Sequence, residues 1–346
     1  MNKNQTDSIS SAESIAPQSE NGLHKESPSI QLASFEWPTL FVAIVCYSSM
    51  ALLTYFADVL GAFAATILLS FSIALYSSLQ HEVLHGHPFS KKYLNEALVF
   101  PSLGLLVPYG RFRDTHLQHH YTPVLTDPYD DPESNYIDPK EWVKWFGARK
   151  ALYQLNNSLL GRILVGPLLS LSTFYSKDIK KMMRGNQQIQ KDYLLHTLGF
   201  APVILWWQMA STMDFWIYFV SAYLGMSILK IRTFLEHTAH ERAICRTVII
   251  EDRGPLSLIF LKNNLHAVHH AYPSIPWYRL QKFYASRRED FLRRNGGYAY
   301  TSYRSIIVQF LFKSKDTVVH PLYPRKQVDF SQKSVENLLN QQGLSE

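Results

Sequence analysis

The chain has 346 residues, enough for one large domain or two ordinary ones. It is 47% hydrophobic and 14% aromatic, yet its mean hydropathy is only −0.11, so long apolar blocks must alternate with polar ones. Two cysteines, Cys46 and Cys245, far apart in the chain, exclude a disulfide framework and a cysteine-based metal site; a net charge of +6 with no basic recognition motif points away from nucleic acid and toward loops lying on anionic lipid.

Residues 1–35 are rich in Ser, Asn, Gln and Glu without an apolar period, and predict a disordered tail. The first apolar run begins near Leu40, too far in for a cleavable signal. Residues 39–80 are apolar, interrupted by Asp58 beside Gly61, and predict two helices long enough to span a bilayer. A second pair is predicted over 194–211 and 215–231, turning at Ser211-Thr212-Met213-Asp214.

Basic residues crowd the segments between and after the pairs (Lys91, Lys92, Arg111 and Arg113; Lys177, Lys180, Lys181 and Arg184; Arg232), while the hairpin tips carry only Asp58 and Asp214. The positive-inside bias puts both termini and the middle segment in the cytoplasm. The stretches 97–109 and 159–175, short or interrupted by Pro and Gly, predict interfacial or re-entrant pieces. The expected fold is all-α: four transmembrane helices in two hairpins under a cytoplasmic helical cap, over 36–290, followed by a C-terminal cytoplasmic extension, 291–346.

Eleven of the fourteen histidines fall in four clusters: His81, His85 and His87; His116, His119 and His120 in "HLQHH"; His237 and His240 in "EHTAH"; His266, His269 and His270 in "HAVHH". Spacings of three and four put imidazoles on one helix face. The first and third clusters begin where the second and fourth spans end, so all four clusters can meet at one depth. His24, His196 and His320 stand alone and read as ordinary satisfied side chains.

The first cluster also spells H-E-x-x-H, a zinc-protease signature with Glu82 as base. A zinc hydrolase uses three protein ligands and would leave most of the clustered histidines without a role. A ferritin-like site needs two Glu-x-x-His motifs, and only Glu82-Val83-Leu84-His85 supplies one. What remains is two metals sharing eight or nine imidazoles; redox work on an apolar substrate favours iron.

At these residues the chain resembles the integral-membrane fatty acid desaturase and hydroxylase superfamily, with H-x-x-x-H at 81–85 and H-x-x-H-H at 116–120 and 266–270 in order. "TDPYDDPES" and "NNLHAVHHAYPSIPWYRL" look like bacterial members, which would place the chain in a bacterial inner membrane. The resemblance implies two iron ions and removal of hydrogen from an unactivated C–H bond. The metal ligands it implies are His81, His85, His116, His119, His120, His237, His266, His269 and His270. His237 takes the extra position after the fourth span; His240 is left to a supporting or substrate contact. Glu82, Asp114 and Glu236, beside the boxes, are expected to fix imidazole tautomers, and His87, past Gly86, is expected to point away. The substrate implied is a fatty acyl chain, with a carotenoid or hydrocarbon hydroxylase or ketolase as the alternative and the zinc protease as the outsider. Electrons would come from a separate donor of ferredoxin, rubredoxin or cytochrome b5 type.

Overall fold

The computed structural model describes residues 35–323; most of the expected N-terminal tail and the last part of the expected C-terminal extension lie outside the described residues. Among the described residues fifteen α-helices follow in chain order: α1 (Trp37–Tyr55), α2 (Ala57–Leu60), α3 (Ala62–Leu84), α4 (Lys92–Leu98), α5 (Tyr109–Tyr121), α6 (Pro139–Lys144), α7 (Gly147–Leu155), α8 (Leu159–Met183), α9 (Gln187–Ala210), α10 (Phe215–Thr233), α11 (Pro255–Ile259), α12 (His266–Ala271), α13 (Trp277–Ala285), α14 (Arg288–Arg294) and α15 (Tyr303–Phe310). The only β-structure among the described residues beyond isolated bridges is a parallel pair, β1 (Ile249–Ile250) with β2 (Ala299–Tyr300).

Three helices, α1, α3 and α8, are long and apolar enough to cross a membrane. α9 and α10 have similar length but fall outside that set. The helix α8 corrects the expectation for 159–175, which is not a broken piece but part of one 25-residue helix. Ser158 caps its start by accepting from the Gly161 N–H at 3.1 Å. Gly161 is needed there because a Cβ would sit 1.8 Å from the Leu155 carbonyl oxygen. Pro167 removes a single donor from an otherwise intact ladder, a cost a long packed helix absorbs.

The predicted turn at Asp58 and Gly61 is present: α2 is one turn long and Gly61, at φ 79°, redirects the chain into α3. The turn between α1 and α2 is tied to the turn between α9 and α10. Thr212 N–H donates to Thr54 O at 3.0 Å, Thr212 Oγ1 donates to Tyr55 O at 3.0 Å, and Asp58 N–H donates to Thr212 Oγ1 at 3.2 Å. Gly225 brings α10 against Ile73 of α3, where a Cβ would lie 2.9 Å from Ile73 Cγ2. Around that contact Leu69, Ile73, Tyr76, Tyr218 and Ala222 form the buried centre.

Between α4 and α5 the chain is irregular, and its carbonyls are satisfied from the helices. Tyr47 donates to Leu98 O, Tyr76 to Val99 O and Pro101 O, and Tyr218 to Leu103 O, at 2.6–2.9 Å. Buried irregular backbone is tolerated only with such partners.

Residues 291–323 are built into the same compact unit: β2 pairs with β1, and Tyr303, Ile306 and Phe310 pack with Phe234 and Phe260 in a second core.

Candidate metal centre

Nine histidines gather at the ends of α3 and α10. They form two groups, in each of which the candidate ligand nitrogens lie within 4.8 Å of one another: His81, His85, His116, His120 and His269 in one, His119, His237, His266 and His270 in the other. Helix geometry explains how the boxes divide. In α5, His116 and His120 are one turn apart and serve the first group, while His119 turns to the second; in α12, His266 and His270 serve the second while His269 turns to the first. Each H-x-x-H-H box therefore feeds both groups, which fixes them side by side. Neighbouring rings confirm the proximity: His120 and His270, of different groups, stack at 4.2 Å between centroids.

The Nε2 atoms converge. His116 faces His120 at 3.0 Å, His120 faces His269 at 3.1 Å, His119 faces His237 at 2.9 Å, and His266 faces both His237 and His270 at 3.1 and 3.2 Å. The Nδ1 atoms point outward to protein partners: His116 to Glu133 at 2.7 Å, His119 to Asp131 at 2.7 Å, His266 to Asn263 Oδ1 at 3.0 Å and His237 to Thr247 Oγ1 at 3.3 Å. A carboxylate accepting at Nδ1 puts the ring hydrogen there and leaves the Nε2 lone pair facing inward. His85 Nε2 is buried with no hydrogen-bond partner, which fits a nitrogen whose lone pair serves as a metal ligand.

Burial pushes the imidazoles toward neutrality, the form that ligates metal. His85 is pushed down to about 2 and His120 to about 3, with neighbouring histidines adding to the effect. Burial likewise holds His237, His266, His269 and His270 well below the ordinary value. At His119 burial acts the same way, but Glu133 and Asp131 outweigh it and raise it to about 9.

The structure treats the other expected residues differently. Glu82 is buried, with Oε1 3.9 Å from His81 Nδ1, while its Oε2 accepts the Trp277 N–H at 3.1 Å and so fixes the start of α13. Glu236 Oε1 lies 3.8 Å from His266 Nδ1 and 3.2 Å from Arg232 Nε. Asp114 meets no histidine; it pairs with Arg113 at 2.9 Å, because a residue two before His116 lies off the ligand face of α5. His240 is exposed and outside both groups; its Nδ1 accepts the Arg242 N–H. His87, likewise outside both groups, is buried and bonded to Glu36 at 2.8 Å.

Asp131, Glu133 and Asn263 escaped the sequence reading. Their signal was present: "TDPYDDPES" carries four acidic residues among turn formers, and "NNLH" precedes the fourth box. In the folded loop Asp131 also accepts the N–H groups of Thr126 at 2.8 Å and Glu133 at 2.9 Å, so the loop is wrapped around that carboxylate.

A cavity of about 890 Å³ lies beside the centre. Apolar side chains from α3, α5, α8 and α10 line it, among them Ile73, Phe112, Phe174, Met226 and Leu229, and it reaches Glu133, Glu236 and His237.

The chain is largely helical, has apolar helices long enough to cross a membrane and carries two adjoining histidine groups. The fatty acid desaturase family profile matches residues 57–302, and the chain belongs to that family. Comparison with curated proteins returns no match. Membership makes the protein an oxidoreductase with a lipid substrate and a membrane setting, and the five-histidine group around His81 and His85 differs from the three-ligand site of a zinc hydrolase.

Proposed function

We propose that the protein is a di-iron, O2-dependent desaturase that introduces a double bond into a fatty acyl chain. The observation that carries this reading is the convergence of nine imidazole nitrogens into two adjoining groups of five and four. One ion has no use for nine ligands, and imidazole is a good ligand for iron. His81, His85, His116, His120 and His269 would hold one ion and His119, His237, His266 and His270 the other. Bound iron would supply one-electron redox chemistry and oxygen activation.

The chain's own contribution is positional. Asp131 and Glu133 hold the Nδ1 hydrogens of His119 and His116, keeping the rings aimed inward. The cavity would hold an apolar chain between Ile73, Phe112, Phe174 and Met226. Its volume is within the usual range for a small-molecule site, roughly 300–1,000 Å³.

We place α1, α3, α9 and α10 across the membrane as two hairpins. Their tips are bonded to each other through Thr212, and the ends of α3 and α10 carry histidines at the opposite side. The helix α8 lies along this bundle rather than through the bilayer, because residues beside the centre hold both its ends: Asn135 and Arg162 at the start, Arg111 and Asp178 further along. The charge bias puts the histidine side and both termini in the cytoplasm. A separate protein delivers electrons, and the exposed basic side chains of Arg279, Lys282 and Arg287 suit an acidic donor.

Expression in a host of defined lipid composition, followed by analysis of the acyl chains, tests the reaction. A new double bond supports it; a hydroxylated or ketonic product with no alkene assigns the oxygen-inserting alternative.

A further inference from the structure

Eight of the nine histidines sit on a helix or directly at its end. His237 does not. It lies in the irregular turn after α10, where a β-bridge pairs it with Thr247. The flanking bonds of that bridge run from Thr238 N–H to Arg246 O at 2.9 Å and from Val248 N–H to Glu236 O at 3.1 Å, and leave the His237 carbonyl out. The donor to that carbonyl is Lys315 Nζ, at 3.0 Å. The Lys315 side chain is only 5% exposed and has Asp316 at 3.6 Å.

Lys315 belongs to a strap, residues 311–320, that follows α15 and lies beyond the part of the chain matched by the family profile. Three parts of the site layer grip it. At the start of α8, Leu160 N–H donates to Leu311 O at 2.9 Å, Lys315 N–H donates to Asn157 O at 3.1 Å, and Asn157 Nδ2 donates to Asp316 O at 2.6 Å. At the acidic loop, Ile137 N–H donates to Val318 O and His320 N–H to Ile137 O, each at 3.0 Å. At the His237 turn, Tyr136 donates to Asp316 and accepts the Ala239 N–H at 3.0 Å. The strap thus joins the loop whose Asp131 and Glu133 orient His119 and His116 to the turn that carries His237.

We propose that Lys315 is a positioning residue of the metal centre: through the His237 carbonyl, the strap fixes the one histidine that no helix holds. Lys315 is not a ligand; it acts through His237. The proposal rests on the di-iron reading of the two histidine groups.

The full-length chain, purified and loaded with ferrous iron, is challenged with a chromogenic ferrous chelator and the release of iron is followed. Wild type tests the underlying reading by holding iron in two groups. Lys315→Met is expected to speed release from one of the two by about ten-fold, the lower end of what partners of metal ligands contribute. Lys315→Arg is expected to restore slow release, and Thr317→Ala, on the exposed side of the strap, to behave as wild type. Lys315→Gln replaces Lys315→Met under the same criteria if the latter does not accumulate. Release from Lys315→Met at the wild-type rate, or from Lys315→Arg as fast as from Lys315→Met, would overturn the proposal while leaving the di-iron reading intact. Wild type that holds fewer than two irons removes that reading and the proposal with it.

Discussion

His119 Nδ1 lies 2.7 Å from Asp131 Oδ1, and both side chains are fully buried. A buried carboxylate costs a great deal unless it is bonded; this one accepts from a ring and from two backbone N–H groups, Thr126 and Glu133. Asp131 thus organises its own loop and aims a histidine of the four-membered group.

The first expectation concerns that carboxylate. Asp131→Asn keeps the size but presents an amide N–H to one of the donors Asp131 now satisfies. Metal affinity of the group containing His119 should fall about 10–100-fold. Iron titration under competition measures it; an unchanged affinity would remove Asp131 from the support of the centre.

His237 and His240 should separate cleanly. His237→Ala is expected to lose iron from the four-histidine group, while His240→Ala, which alters an exposed ring outside both groups, keeps its iron. Metal analysis of the two purified variants decides, and the reverse pattern would exchange their roles.

His87→Ala should act on stability rather than on turnover. The ring is 1% exposed and holds the Glu36 carboxylate at 2.8 Å. Removing it leaves that buried carboxylate with only the Thr39 hydroxyl as a side-chain donor, at 3.3 Å, at a cost of about 1–3 kcal/mol. The thermal midpoint should drop while iron content and activity below it persist; lost iron with an unchanged midpoint would make His87 part of the centre.

Met226 lines the cavity from α10. Met226→Trp should shorten the acyl chains accepted, because added volume has nowhere to go in a packed helix bundle. Product profiles from acyl chains of defined lengths check it; an unaltered length preference would mean the substrate lies elsewhere.

The ligand clusters were legible because imidazole spacing at three and four residues is a local property of a helix, visible without knowing the fold. The supporting carboxylates were not. Asp114 stands two residues from His116 in sequence but faces Arg113, whereas Asp131 is twelve residues from His119 and reaches it only through the folded loop. The continuity of α8 was hidden because Gly161, Gly166 and Pro167 read as breakers, when the first two answer close approaches to Leu155 and Arg162. The ends of α1, α3 and α10 were legible to within a few residues, whereas α9 begins seven residues before the apolar run, capped by Asn186 at Ile189 N–H.

The most direct measurement is the metal content of the purified full-length chain together with its iron-dependent activity. Two irons per chain, with turnover of an acyl substrate rising in proportion to iron, is the expected result. A single ion per chain, or zinc alone with no iron-dependent turnover, would contradict the two-metal account of the nine histidines.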